Sequence, residues 1–211
     1  MRVVVAKNSL RRVLRWTQCL LFACAVSLLG YCGFVLADAW VFQRQESRYL
    51  DRLLRDSHTA SGGAPKIGSS TSPKNPPAAT TGGLIGRIEI PRLGLSAVVV
   101  EGIDSAILQR AVGHIPGTAL PGQPGNVGIA GHRDTFFRPL RSIRKGDEIT
   151  VTTLHGSSRY RVDFTKVVQP ENIEVLDGSD DALLTLVTCY PFDYVGSAPK
   201  RFIVRAHRIP G

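Results

Sequence analysis

Three residues in the C-terminal part of this chain could do chemistry together: Cys189, His132 and Arg201. Of the four cysteines, Cys19, Cys24 and Cys32 lie in or beside an apolar N-terminal stretch. Cys189 alone stands elsewhere, after the strand-like run Ala182-Leu-Leu-Thr-Leu-Val-Thr188 and before Tyr190-Pro191. A thiol with no disulfide partner, in a domain that the N-terminal signals place outside the cytoplasm, is unusual. It is either a small buried hydrophobe or a nucleophile. As a nucleophile it would form a thioester, reactive enough to pass an acyl group on. His132 follows Gly131 at the end of an apolar strand and carries the side chain best suited to proton transfer near neutral pH. Arg201 keeps its proton, so its use is electrostatic, as a partner for a carbonyl oxygen on which negative charge develops. Taken singly, each has a plain alternative: a core cysteine, a surface loop histidine, a solvated strand-end arginine.

The elements that must position these groups are short strands separated by turn residues. Leu84-Ile-Gly-Arg-Ile-Glu-Ile90 alternates and then meets Pro91, whereas Ala97–Val100 is an unbroken buried run. Asp104 is placed to N-cap a short helix through Gln109. Asn126–Ala130 reads as an apolar strand leading to His132. Residues 148–153 and 159–164 flank the turn signal His155-Gly156-Ser157 and read as a hairpin. Residues 182–188 and 201–206 are two more strands. Seven or eight strands with one or two helical turns predict a mostly β fold, a closed or nearly closed barrel occupying residues 84–211.

Ahead of the barrel, the sequence divides by composition. Residues 1–19 are basic, with Arg2, Lys7, Arg11, Arg12 and Arg15. Residues 20–37 are uncharged and apolar, long enough to span a hydrocarbon core as an uncleaved transmembrane helix. The cationic flank predicts a cytoplasmic N-terminus and an extracytoplasmic C-terminal domain. Residues 38–56 mix apolar and charged side chains and read as a juxtamembrane helix, a stalk with no partner of its own. Residues 57–83 are rich in Ser, Thr, Gly, Ala and Pro, which reads as a linker. The net charge of +9 is concentrated at the N-terminal end. Residues 84–211 hold fifteen basic against thirteen acidic residues, which argues against nucleic-acid binding.

The order Gly-Asn-Val-Gly-Ile-Ala-Gly-His-Arg-Asp134, then Thr-Leu-Val-Thr-Cys-Tyr-Pro-Phe192, then Ser-Ala-Pro-Lys-Arg-Phe-Ile-Val-Arg-Ala206 resembles the sortase family of cysteine transpeptidases. Cys189 lies 57 residues after His132 and 12 before Arg201, spacings in keeping with that family. The Tyr-Pro-Phe after the cysteine and the Val-Gly-Ser-Ala-Pro-Lys-Arg segment look most like class D. The resemblance implies an eight-stranded closed β-barrel, with Cys189 as nucleophile, His132 as general acid/base and Arg201 stabilising the oxyanion. Thr188 matches a position that helps bind the sorting peptide. The implied substrates are secreted proteins with a C-terminal sorting signal of the Leu-Pro-x-Thr-Gly kind. The implied acceptor is an amine of the cell envelope, and the implied place is the bacterial cell membrane, reached through the N-terminal helix. No metal or organic cofactor is expected.

Other polar residues carry less. His114, in Gly-His-Ile-Pro116, reads first as a structural residue, with the substrate groove as the alternative, and Asp134 either orients His132 or Arg133 or caps its loop. His155 and His207 read as surface residues. Some sortases bind calcium between two loops, but the acidic run Glu171, Glu174, Asp177, Asp180 and Asp181 faces a second loop, residues 114–131, without a carboxylate. A peptidoglycan L,D-transpeptidase would place Ser-x-Gly before its cysteine, and a papain-like peptidase would place its cysteine before its histidine. A pilin-polymerising sortase would carry an Asp-Pro-aromatic lid motif, which residues 57–83 lack. A non-catalytic, membrane-tethered barrel that binds an envelope ligand would leave Cys189 incidental.

Overall fold

Alternation of apolar and polar residues at period two builds several strands of this molecule. The computed structural model describes residues 7–60 and 81–210. Residues 61–80 of the expected linker, and the first six of the basic segment, lie outside that range. Helix α1 (Lys7–Ala60) comes first, and its 23-residue stretch Arg12–Phe34 is apolar and long enough to cross a membrane. The chain divides into two compact units, one ending at Val41 and one beginning at Phe42.

The second unit holds eight strands: β1 (Leu84–Ile90), β2 (Leu95–Glu101), β3 (Val112–His114), β4 (Asn126–Ala130), β5 (Glu148–Thr153), β6 (Gly156–Val168), β7 (Leu183–Tyr190) and β8 (Lys200–Ile209). They close into a barrel in the order β1-β2-β3-β4-β7-β8-β6-β5. The pairs β2–β3 and β4–β7 are parallel and the other six antiparallel. The closed, mostly β architecture is the one the sequence predicts. Strand β3, only three residues long and containing Gly113, escapes a reading based on periodicity. The hairpin strand β6 starts at Gly156 and runs on to Val168, well beyond the 159–164 expected. The short helix α2 (Ser105–Leu108) does follow Asp104, but that side chain makes no capping hydrogen bond.

Inward residues from all eight strands form one core, with Ile88, Ile90, Ile149, Tyr160, Leu184, Leu186 and Val204 fully or almost fully buried. Strand β2 is apolar on both faces, which explains its unbroken valine run. Ala97 and Val99 face the core, while Val98 and Val100 pack outside it against Phe42 of α1 and Ile107 of α2. The α1 segment from Phe42 onward is therefore no free stalk, a correction to the sequence reading. Gln43 Oε1 accepts from the Val98 amide at 2.9 Å, and Gln43 Nε2 donates to the Arg110 carbonyl at 2.6 Å. Asp51 pairs with Arg87 of β1, and Leu50 is fully buried. A side-chain amide thus satisfies a backbone donor that the short β3 leaves unpaired.

Candidate active site

Strand register brings the three chemical residues side by side. In the antiparallel pair β7–β8, Cys189 and Arg201 are direct partners. In the parallel pair β4–β7, Ala130 partners Val187. Two residues further on each chain, His132 and Cys189 stand at the same height. Neighbouring strands are about 4.8 Å apart, so His132 and Arg201 flank the thiol on opposite sides. Two hydrogen bonds carry that register past the end of β4: Gly131 N to the Val187 carbonyl at 3.1 Å, and Thr188 Oγ1 to the Gly131 carbonyl at 2.7 Å.

Alternation along the strands decides which face the chemistry occupies. Leu184 and Leu186 point into the barrel, so Val187 and Cys189 point outward, as do Ala130 on β4 and Ile203 on β8. These outward residues floor a cleft of about 350 Å³ that holds Cys189, His132 and Arg201. The connection between β6 and β7 forms a wall of the cleft through Pro170, Ile173, Val175 and Leu176, and Ile103, Leu108 and Ile115 line it as well. The lining is mainly apolar, which suits a ligand with few charges.

Two side chains pin that wall. Asn126 Nδ2 donates to the Val175 and Asp177 carbonyls at 3.1 and 3.2 Å, while its Oδ1 accepts from Thr185 Oγ1 at 2.6 Å. Arg205 Nη2 donates to the Val175 carbonyl at 2.7 Å, and burial lowers the pKa of this guanidinium from the usual arginine value. Neither residue has a signature in sequence, because each acts on a segment far along the chain.

Beside the cysteine in the chain, Phe192 and Phe202 pack against the core, and Tyr190 stacks on Phe202 with centroids 6.1 Å apart. Phe192 lies edge-on to Phe202 with centroids 5.2 Å apart. Cys189, His132 and Arg201 are all half-buried. Among the described residues, neither the thiol nor the imidazole has a hydrogen-bond partner, so both are available to a substrate. Arg201 Nη1 donates to the Ala198 and Lys200 carbonyls at 3.3 and 3.1 Å, leaving its other nitrogens for a ligand. Gly131 is required by close approach: a Cβ there would meet the Phe137 ring at 2.8–3.1 Å.

The remaining candidates fall elsewhere. Thr188 reaches the cleft but is 2% exposed, and its hydroxyl proton is committed to the Gly131 carbonyl. His114 does not line the cleft, so the groove reading gives way to the structural one. It is 2% exposed, with Nδ1 2.6 Å from Glu101 Oε2 and Nε2 2.9 Å from the Ala119 carbonyl. Thr118 Oγ1 gives its proton to the Ile115 carbonyl, so it can only accept from His114, and Nε2 must carry a hydrogen. His114 ties β3 to β2 and to the loop that follows. Asp134 is 62% exposed and pairs with Arg133 rather than His132. Among the described residues, no three or more His, Cys, Asp or Glu side chains converge as a metal ion would require.

Known proteins resemble this chain in both sequence and fold. The sortase domain family model matches residues 88–209. Sortase D of Bacillus subtilis is 32% identical over 192 residues, which is 90% of this chain and 96% of that protein. Among solved structures, the Clostridium perfringens sortase D5 transpeptidase superposes with a TM-score of 0.64 at 26% identity, over 81% of this chain and 99% of that one. Sortase C-1 of Actinomyces oris gives 0.56 at 34% identity, over 60% and 73%. The class D likeness read from the Tyr-Pro-Phe segment has its counterpart in the first two. A closed barrel with cysteine, histidine and arginine aligned at one rim, and a family match over most of that barrel, give the same answer: the chain belongs to the sortase family and is a cysteine transpeptidase.

Proposed function

We propose that this enzyme cleaves a C-terminal sorting signal of the Leu-Pro-x-Thr-Gly kind and joins the new carboxyl end to a cell-envelope amine. The observation that carries the reading is the register alignment of His132, Cys189 and Arg201 at the mouth of an apolar cleft. In the first step the Cys189 thiolate attacks the scissile carbonyl carbon, and the oxygen takes up negative charge beside the Arg201 guanidinium. Collapse breaks the C–N bond, and His132 as imidazolium gives its proton to the departing amine. The thioester that remains is attacked by the acceptor amine, whose proton passes to His132, and the thiolate leaves. Splitting one amide exchange into two acyl transfers lets side chains alone perform it.

The apolar stretch Arg12–Phe34, with a basic flank before it, supports a single-pass anchor with the N-terminus in the cytoplasm. The barrel would then meet secreted proteins at the outer membrane surface. General protein anchoring is favoured over pilin polymerisation, because residues 57–83 lack the lid motif.

The test is turnover by the full chain in detergent micelles, with a Leu-Pro-x-Thr-Gly peptide series and an added amine. Cleavage after threonine with a product carrying the amine is expected. Peptides left intact by an enzyme whose Cys189 still alkylates would overturn the substrate assignment. Preference for a lysine-bearing pilin-type acceptor over a peptidoglycan-type amine would favour polymerisation instead.

A further inference from the structure

Arg133 follows His132 directly, yet its guanidinium turns away from the cleft and is only 7% exposed. A charge so withdrawn from water needs its donors satisfied, and four of its five are. Nη1 donates to the Pro191 carbonyl at 2.8 Å, and Nη2 to the Tyr194 and Gly196 carbonyls at 2.6 and 3.0 Å. Nε donates to Asp134 Oδ2 at 3.2 Å. The Tyr194 ring covers the guanidinium at 6.0 Å. All three carbonyls belong to the loop between β7 and β8, which begins just after Cys189 and ends just before Arg201. Farther along the same loop, the Ala198 carbonyl accepts from Arg201 itself. One side chain on the histidine's turn therefore fixes the loop on which the active-site arginine leans.

We propose that Arg133 is a positioning residue for the transfer reaction, locking the β7–β8 loop to the His132 turn so that His132 and Arg201 keep their places on either side of Cys189. The inference rests on the reaction proposed above. The fork geometry is essential to it: a lysine ammonium places all its donors on one nitrogen and cannot reach three separated carbonyls. The loop's other cationic contact, Arg141 to Asp193 at 3.7 Å, is exposed on both sides and should hold little.

The experiment compares wild type, Arg133→Lys, Arg133→Gln and Arg141→Ala as full chains in micelles. It measures kcat and KM with a cleaved peptide, the thermal midpoint, and the rate at which chymotrypsin nicks the chain at Tyr194 well below that midpoint. Both Arg133 variants should lose about 100-fold in kcat with KM nearly unchanged, as a misplacement of about 1 Å at reacting groups does. Their Tyr194 nicking should accelerate several-fold as the loop opens locally. Arg141→Ala should match wild type in every respect. Arg133→Lys turnover close to wild type, or rapid nicking of wild type itself, would overturn the inference. Should wild type turn over no peptide, the reaction assignment fails on its own, and the nicking comparison still decides whether Arg133 holds the loop. Should the variants not fold, slow nicking of wild type at the exposed Tyr194 supports the clamp and fast nicking refutes it.

Discussion

Thr188→Val offers a sharp test of how the site is held. The two side chains have nearly the same shape, so the change removes a hydroxyl and little else. That hydroxyl is buried and donates at 2.7 Å to the Gly131 carbonyl, immediately before His132. Valine leaves a buried carbonyl unpaired, which costs about 2 kcal/mol. In a domain of this size that lowers the thermal midpoint by roughly 6–10 °C. Because the lost bond tethers the histidine's turn to the cysteine's strand, acylation should slow by about 10- to 100-fold. Thr188→Ser keeps the bond and loses only a methyl group, about 1 kcal/mol, so its acylation rate should stay within a few-fold of wild type. The assay is single-turnover acylation followed by intact mass, beside thermal unfolding of the same preparations. If the Thr188 hydroxyl instead binds the sorting peptide, Thr188→Val would raise KM and leave the midpoint unchanged. That result would refute the tethering argument.

Gly131→Ala should impair acylation and destabilise by about 1–3 kcal/mol, since its methyl group must displace the buried Phe137 ring; thermal unfolding and peptide turnover read both effects. Leu50→Ala, far from the cleft, should destabilise by about 2–5 kcal/mol if the α1 segment from Phe42 onward is part of the folded domain, and a denaturation midpoint equal to wild type would make that segment a mere spacer. The Arg92 guanidinium, hydrogen-bonded at 2.5 Å, holds the Asp147 carboxyl below its ordinary value of 3.8. A carboxyl lowered in the fold contributes stability above its unfolded pKa and loses it as pH falls through the folded one. As pH falls below about 4, Asp147→Asn should therefore lose less stability than wild type, as judged by acid unfolding.

The barrel, and the residues it brings together at one rim, could be read from the sequence because their signals are local. Alternation marks β1, β5 and β6, a turn signal marks the hairpin, and the Thr-Leu-Val-Thr-Cys and Gly-His-Arg-Asp segments are contiguous. What stayed hidden depends on partners distant along the chain. The valine run of β2 announces a strand buried on both faces, but nothing in it says that Phe42 covers the outer one. Gln43 looks like any helix-surface glutamine until it caps the Val98 amide. Arg133 sits inside a motif yet acts 58 to 63 residues downstream. Nothing local in Gly-His-Ile-Pro116 says whether His114 serves the groove or the core. Its partner Glu101, supplied by the parallel β2–β3 pairing, makes it a core residue.

The central claim is that Cys189 carries the acyl group between donor and acceptor. The most direct measurement is intact mass and peptide mapping of the full chain after brief exposure to a sorting-signal peptide with no amine present. An adduct of the acyl fragment's mass is expected on Cys189, lost on adding hydroxylamine or an amine, absent from Cys189→Ala, and much slower to form in His132→Ala and Arg201→Lys. Peptide cleavage that persists in Cys189→Ala, or an adduct mapped to another residue, would contradict it.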